Sequence, residues 1–177
     1  PDQVNFYPNT SMLNLVYDLN GYEDIIFSRN SFENKLDNEK RTNIPLLILY
    51  QGKGGYTIGE IDIGNNNSRT LSYFDYNNDF VPDIYVGNYN SQYLIVENEI
   101  HNNKSFKVEF FSDDLTLFGT EIRVIYEDGS KGGVREITNR RSFRSESERS
   151  IFLPINNVEN IELRNNEKIK YIKIDQS

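Results

Sequence analysis

The 177-residue chain contains no cysteine and no tryptophan, and only one histidine and one methionine. Without cysteine there can be no disulfide, no thiol nucleophile and no Cys-ligated zinc. A single histidine all but excludes a histidine-built metal centre and a Ser-His-Asp triad. His101 sits in the polar turn Glu99-Ile100-His101-Asn102-Asn103 and reads as a solvated loop residue. No apolar run approaches the ~20 residues needed to cross a bilayer, so no membrane span is expected. The opening Pro1-Asp2-Gln3 has neither the basic nor the apolar character of a signal peptide, although a cleaved leader would leave the same start. The lack of cysteine does not exclude secretion, because a bound cation can replace disulfides as the staple of a small β-protein.

What the chain does have is acid. Its net charge is −8, and the charge is unevenly spread. Residues 1–117 carry 8 basic and 17 acidic side chains, whereas residues 118–177 carry 11 and 10. An acidic first part repels nucleic acid and favours cations. The domain division expected from this shift is 1–117 and 118–177.

The most informative stretch is Asp75-Tyr76-Asn77-Asn78-Asp79-Phe80-Val81-Pro82-Asp83. Side-chain oxygens fall at its first, third, fifth and ninth positions. Ca²⁺ takes about six to eight oxygens at roughly 2.3–2.6 Å, and a flexible loop of this spacing can supply them. Apolar strand-like residues flank the loop, Leu71 to Phe74 before and Ile84-Tyr85-Val86 after. Helical periodicity and a distal Glu, which a helix–loop–helix calcium site requires, are missing. The loop therefore reads as a calcium loop between two strands. An ordinary Asx-rich turn is the plainer alternative, since Asp and Asn dominate turns. Phe80 stands where the sharp bend favours glycine, and a bulky residue at positive φ is strained there.

The pattern occurs twice. A first copy, Asp18-Leu19-Asn20-Gly21-Tyr22-Glu23-Asp24, precedes Ile25-Ile26-Phe27 and the later strands Pro45 to Tyr50 and Tyr56 to Ile61. After the second loop come Ile84 to Val86, Tyr93 to Val96 and Ser105 to Phe110. The closing aspartates, Asp24 and Asp83, lie 59 residues apart, a period that suits propeller blades. Each copy holds three or four short strands separated by Gly/Asn turns. The first loop keeps Asp18, Asn20 and Asp24 but runs about two residues shorter, which makes it a weaker second metal site, with a Gly-containing hairpin turn as the plainer reading. The polar stretch from Asn30 to Thr42 reads as a surface insertion, either a short helix or disordered.

From residue 118 the character changes. Glu121-Ile122-Arg123-Val124 alternates cleanly, and the Gly-rich turn 127–133 leads to Val134-Arg135-Glu136-Ile137-Thr138, giving a hairpin. Further strands are expected at Ser150 to Leu153, Val158 to Leu163 and Ile169 to Ile174.

These residues resemble a pair of known modules. Phe74 to Asn88 is similar to the FG-GAP/VCBS repeat, an acidic loop followed by an apolar strand. The stretches Leu49 to Tyr56 and Leu94 to Asn98 resemble the later part of that repeat. Phe118 to Val124, Arg135 to Thr138 and Ser142 to Glu148 resemble the ASPIC/UnbV domain of cartilage acidic protein and its bacterial relatives. Phe80 and the segment Ile151 to Ile155 depart from these patterns. The resemblance implies an all-β fold of about two β-propeller-type blades plus a small antiparallel module, part of a larger propeller ectodomain. It also implies Ca²⁺ as a structural cofactor, held by Asp75, Asn77, Asp79 and Asp83 with the Val81 carbonyl, and a secreted or surface-displayed protein.

Three functions are weighed on this basis. The first is a non-enzymatic, calcium-stabilised extracellular module for binding or adhesion, with loops as its contact surface. Its partner would be a protein that supplies the remaining blades, or a surface receptor. An acidic glycan is a further candidate partner, at Arg135, Arg140, Arg141 and Arg144; the plainer reading of those arginines is a solvated strand pair balanced by Glu136, Glu146 and Glu148. The second function is a structural subunit without a ligand of its own. The third is a carboxylate-based glycoside hydrolase, but Asp113-Asp114 and Glu146/Glu148 read more simply as surface charges. Sequons occur at Asn9, Asn66 and Asn103, close to chance in so Asn-rich a chain.

Overall fold

The computed structural model describes residues 9–29, 44–64, 67–89, 91–100, 105–109, 119–137, 141–142, 145–146, 150–166 and 168–174. The expected insertion 30–42, His101, Asp113 and Asp114, Arg140 and Arg144, and the sequons at Asn66 and Asn103 lie outside these residues. Every regular element described is a strand, and all the pairings are antiparallel. The all-β expectation therefore holds. Among the described residues none of the sheets closes into a barrel. Among the described residues no helix is long and apolar enough to cross a membrane.

The first sheet is a four-stranded meander of β1 (Asn9–Leu15), β2 (Asp24–Arg29), β3 (Leu46–Gly52) and β4 (Gly55–Ile61), each paired with the next. β3 and β4 turn through Lys53 and Gly54 into Gly55, whose φ of 115° is open only to glycine. A second meander follows, β5 (Ser68–Phe74), β6 (Asp83–Asn88) and β7 (Leu94–Val96). β-branched and aromatic residues make up half or more of β2, β4, β6 and β7, as a pleated, half-buried surface favours.

β8 (Ser105–Glu109), the strand expected to complete the second copy, leaves that sheet. It pairs with β13 (Ser150–Pro154), in register from Ser105 opposite Pro154 to Glu109 opposite Ser150. A strand from before residue 118 is thus hydrogen-bonded to one from after it. Between them in sequence run β9 (Glu121–Tyr126), β10 (Arg135–Glu136) and a small hairpin of β11 (Arg141–Ser142) and β12 (Ser145–Glu146). The last sheet, in the order β10, β9, β14 (Val158–Asn165), β15 (Lys168–Lys173), contains the expected hairpin and both expected C-terminal strands.

Two apolar cores result. Leu13, Ile26 and Ile48 of the first meander face Leu71, Ile84 and Val86 of the second. Ile122, Val124, Val158 and Ile161 form the other core, with Phe106 and Val108 of β8 packed on it. β13 divides the two. Successive side chains of a strand point to opposite faces, so Phe152 enters the first core and its neighbour Leu153 the second.

Candidate functional site

The loop between β5 and β6 holds all the residues expected to bind calcium, in a frame of short-range hydrogen bonds. The Asp75 carboxylate accepts from the backbone N–H of Asp79 at 3.1 Å and of Phe80 at 3.3 Å. Asn77 Oδ1 accepts from the N–H of Asp79 at 3.1 Å, and Asp79 Oδ1 from the N–H of Val81 at 2.8 Å. The Asp83 carboxylate clamps the loop. It takes the N–H of Tyr76 at its start (2.8 Å) and the N–H of Asn98, just beyond β7 (2.9 Å). Phe80 does adopt positive φ, 63°, as does Asn78 at 61°. Its backbone carbonyl accepts a hydrogen bond from the Ser105 hydroxyl of β8.

The loop between β1 and β2 repeats this frame almost bond for bond. Asp24 accepts from the N–H of Tyr17 at 2.9 Å and of Gln51 at 2.8 Å. Asp18 Oδ1 accepts from the N–H of Asn20, and Asn20 Oδ1 from that of Tyr22. Leu19 and Gly21 take the positive φ angles, 57° and 91°. Asp18 therefore corresponds to Asn77, Asn20 to Asp79, Gly21 to Phe80 and Asp24 to Asp83. Counted from the closing aspartate, the first loop is not two residues short. It is full length, with buried Val16 where the second loop has Asp75. The first-position oxygen is missing, and the loop folds without it.

The two loops touch through Asn98. This buried side chain donates to the Tyr17 carbonyl at 2.8 Å and to the Pro82 carbonyl at 3.3 Å. The first loop is also capped by the C-terminal sheet. The Gly21 carbonyl accepts from the N–H of Gly133 at 3.0 Å and from the Arg135 guanidinium at 2.9 Å. Arg135, expected on a basic surface, is instead 2% exposed. Its guanidinium reaches the first loop instead of lying on the surface. The side chain of Arg141 lies outside the described residues.

Charge accumulates around the second loop. Glu97 Oε1 accepts from Asn77 Nδ2 at 3.0 Å, which brings a fourth acidic group beside Asp75, Asp79 and Asp83. Among the described residues, a lysine answers Asp75. Lys107 Nζ of β8 lies 3.9 Å from Asp75 Oδ2 and 2.8 Å from Glu109. Burial pushes the Asp83 carboxyl up from its usual range, and the charges of Asp79 and Asp75 push it the same way. In the first loop, burial raises Asp18 and lifts Asp24 to about 6, with Asp18 adding to the latter. Burial, then Tyr50 and Asp83, lifts the Tyr17 hydroxyl to about 12.

Among the described residues no three His, Cys, Asp or Glu side chains are already disposed as a metal cage. The donor set is nonetheless that of a hard cation, all oxygen and net negative. An ionised carboxylate has about four lone-pair sites, more than the hydrogen bonds above occupy. Glu97, Asn98 and Lys107 were not singled out from sequence. The first two carry a signal, since they follow β7 as Gln51 follows Tyr50 in the first repeat. Lys107 carries none, because its approach depends on the β8–β13 pairing. No protein-family profile matches the chain, and no curated protein is significantly similar to it.

Proposed function

We propose that this chain is a non-enzymatic, calcium-stabilised β-module that acts outside the cell or at its surface, in adhesion or the assembly of a larger complex. In this reading the two meanders are propeller-type blades of the FG-GAP/VCBS kind, followed by an ASPIC/UnbV-like module. Ca²⁺ binds at Asp75, Asn77, Asp79 and Asp83 with the Val81 carbonyl. The observation that carries the reading is the second loop, where Asp75, Asn77 and Asp79 bend the backbone by hydrogen bonds, Asp83 closes it and Glu97 joins them through Asn77. The bond-for-bond likeness of the two loops supports a repeated blade. The first loop, with Val16 in the first position, is a weaker calcium site or none.

A structural subunit without a ligand of its own is the second reading. Lys107 favours it, because its ammonium stands beside Asp75, one of the carboxylates of the proposed calcium site. Thermal unfolding in millimolar Ca²⁺ and in excess EGTA separates the two. A site filled at 100 times its Kd stabilises by about 2.7 kcal/mol. The comparison variant is Asp79→Asn, which keeps the turn's acceptor oxygen and removes the charge. A calcium shift in the wild type that the variant loses supports the calcium module. An unshifted wild type gives the answer to the structural subunit, with Lys107 as the resident cation.

A further inference from the structure

The last strand of the C-terminal sheet is hydrogen-bonded along one edge only. β15 pairs with β14, from Lys168 opposite Asn165 to Lys173 opposite Asn160, and among the described residues nothing pairs with its other edge. All six of its residues, Lys168-Ile169-Lys170-Tyr171-Ile172-Lys173, are exposed. Its apolar side chains share that exposure, with Ile169 at 51%, Tyr171 at 58% and Ile172 at 39%. A free edge presents a row of unpaired N–H and C=O groups, a template on which another strand can form.

The charge on the strand narrows what can pair with it. Three of its six side chains are lysines and none is acidic, in a chain of net charge −8. Among the described residues none of these lysines forms an ion pair. Glu162, opposite Tyr171, is already held by Arg123 and Lys131. A second copy of β15 would set lysine against lysine, and like charges directly opposite are destabilising. The same charges attract an acidic strand, so the edge selects by repulsion and attraction together. Alternation sorts the pattern that fits. Lys168 and Lys170 share a face with Ile172, while Ile169 and Tyr171 share the other with Lys173. A matching strand therefore carries acidic side chains on the first face and apolar ones on the second. A polyanion without a peptide backbone would answer the lysines but leave the alternating donors and acceptors of the edge unmatched.

We propose that β15 is a docking edge for an extended acidic segment of a partner protein, which adds to the C-terminal sheet as a further strand. Its acidic side chains lie against Lys168 and Lys170, and its apolar ones against Ile169 and Tyr171. This rests on the assembly reading above and deepens it by naming the chemistry of the partner, and it does not need calcium at the second loop. The probe is a fluorescein-labelled peptide of about ten residues with Glu and Val in alternation, titrated by fluorescence anisotropy against the whole chain in EGTA and in Ca²⁺. The expected result is saturable binding in both buffers that Lys170→Glu weakens at least about tenfold. Lys53→Glu, the same change of charge in the exposed turn between β3 and β4, should leave it unchanged. A Lys–Val peptide should not bind. A Glu–Val peptide methylated at every backbone nitrogen keeps its charge and loses its ladder donors, and it should bind the wild-type protein at least about tenfold more weakly. That comparison needs no variant to fold. A wild type that ignores the Glu–Val peptide up to ~1 mM overturns the proposal. So does equal binding of the methylated peptide, which would reduce the contact to charge attraction. Binding that Lys170→Glu leaves intact overturns it too, by placing the peptide on another surface. A protein that Ca²⁺ stabilises against heat but that binds no peptide would sink this inference alone and leave the calcium module standing.

Discussion

The side-chain amide of Asn98 donates to the backbone carbonyl of Tyr17, 81 positions away, while the Asn98 N–H donates to Asp83. One residue thus holds the closing aspartate of the second loop and the entry of the first. Buried carbonyls need partners, and Asn98 supplies one to Tyr17 and one to Pro82. The two meanders are therefore joined by polar contacts at their loop end as well as by the apolar contact between their faces.

Replacing Asn98 with Ala should cost about 1–3 kcal/mol, because two buried carbonyls lose their donor. Asn98→Asp should cost more, since it sets a second carboxylate against Asp83, already pushed up by burial and its acidic neighbours. Urea unfolding of the three proteins measures both. Equal stability of wild type and Asn98→Ala would mean that the loops are held by packing alone.

Asp24 should make stability depend on pH in an unusual sense. Its folded pKa of about 6 lies above the ordinary 3.8. The folded state therefore binds this proton more tightly than the unfolded state does. Its contribution is complete below the unfolded value and is lost as the pH rises through about 6. Between pH 7 and pH 5 the wild type should gain about 1 kcal/mol over Asp24→Asn, which has no proton to take up. The variant should be less stable at every pH, because its amide nitrogen must face the N–H of Tyr17 or of Gln51. Urea midpoints at the two pH values test the difference, and a constant gap between the proteins would contradict it.

Much of the fold was legible in the sequence, and the reasons are local. The apolar runs of β2 and β3, the alternation of Glu121 to Val124 and the Gly-rich turns each carry their own signal. Pairing over long distances does not. β8 looks like the fourth strand of its repeat, and only the partition of Phe152 and Leu153 between two cores shows why it sits against β13 instead. The same is true of Arg135. Its charge suggests a surface, but the carbonyl that it meets belongs to Gly21, 114 residues earlier. The first loop looks short because its first oxygen-bearing side chain, Asp18, corresponds to Asn77 and not to Asp75. The side chain that replaces the missing oxygen, Val16, is apolar and looks like part of the preceding strand.

Gly21 and Phe80 occupy equivalent positive-φ positions, so opposite substitutions should have opposite effects. A Cβ on Gly21 would lie 2.2 Å from the Tyr126 hydroxyl, at a φ of 91°. Gly21→Ala should cost about 2 kcal/mol or more from strain and overpacking together. Tyr126→Phe removes the clashing oxygen, so the double variant should recover part of that loss. Phe80 is half exposed at φ 63°, and Phe80→Gly should be neutral to about 1 kcal/mol stabilising, as relief of strain offsets the greater entropy of the unfolded chain. Thermal melts of the four variants give the signs. A destabilised Phe80→Gly would show that the ring's packing outweighs its backbone strain.

The C-terminal sheet hides an ion cluster whose balance can be tested. Glu162 is 2% exposed, with Arg123 at 2.5 Å and Lys131 at 3.4 Å. Burial by itself would push the Glu162 carboxyl up, but Arg123 and then Lys131 overcome it and hold the group below its ordinary 4.5. A depressed folded pKa stabilises above the unfolded value and loses that contribution as the pH falls through the folded one. Arg123→Met leaves the buried carboxylate with Lys131 alone and should cost roughly 3 kcal/mol at pH 7, less whatever Lys131 retains. At pH 3.5 an unpaired Glu162 takes up a proton, so the penalty should shrink. Arg123→Met combined with Glu162→Leu should recover most of the loss at pH 7, because no unpaired charge is left buried. Chemical unfolding at both pH values decides it. A penalty of the same size at pH 3.5 would mean that Arg123 contributes through the packing of its stem and not through its charge.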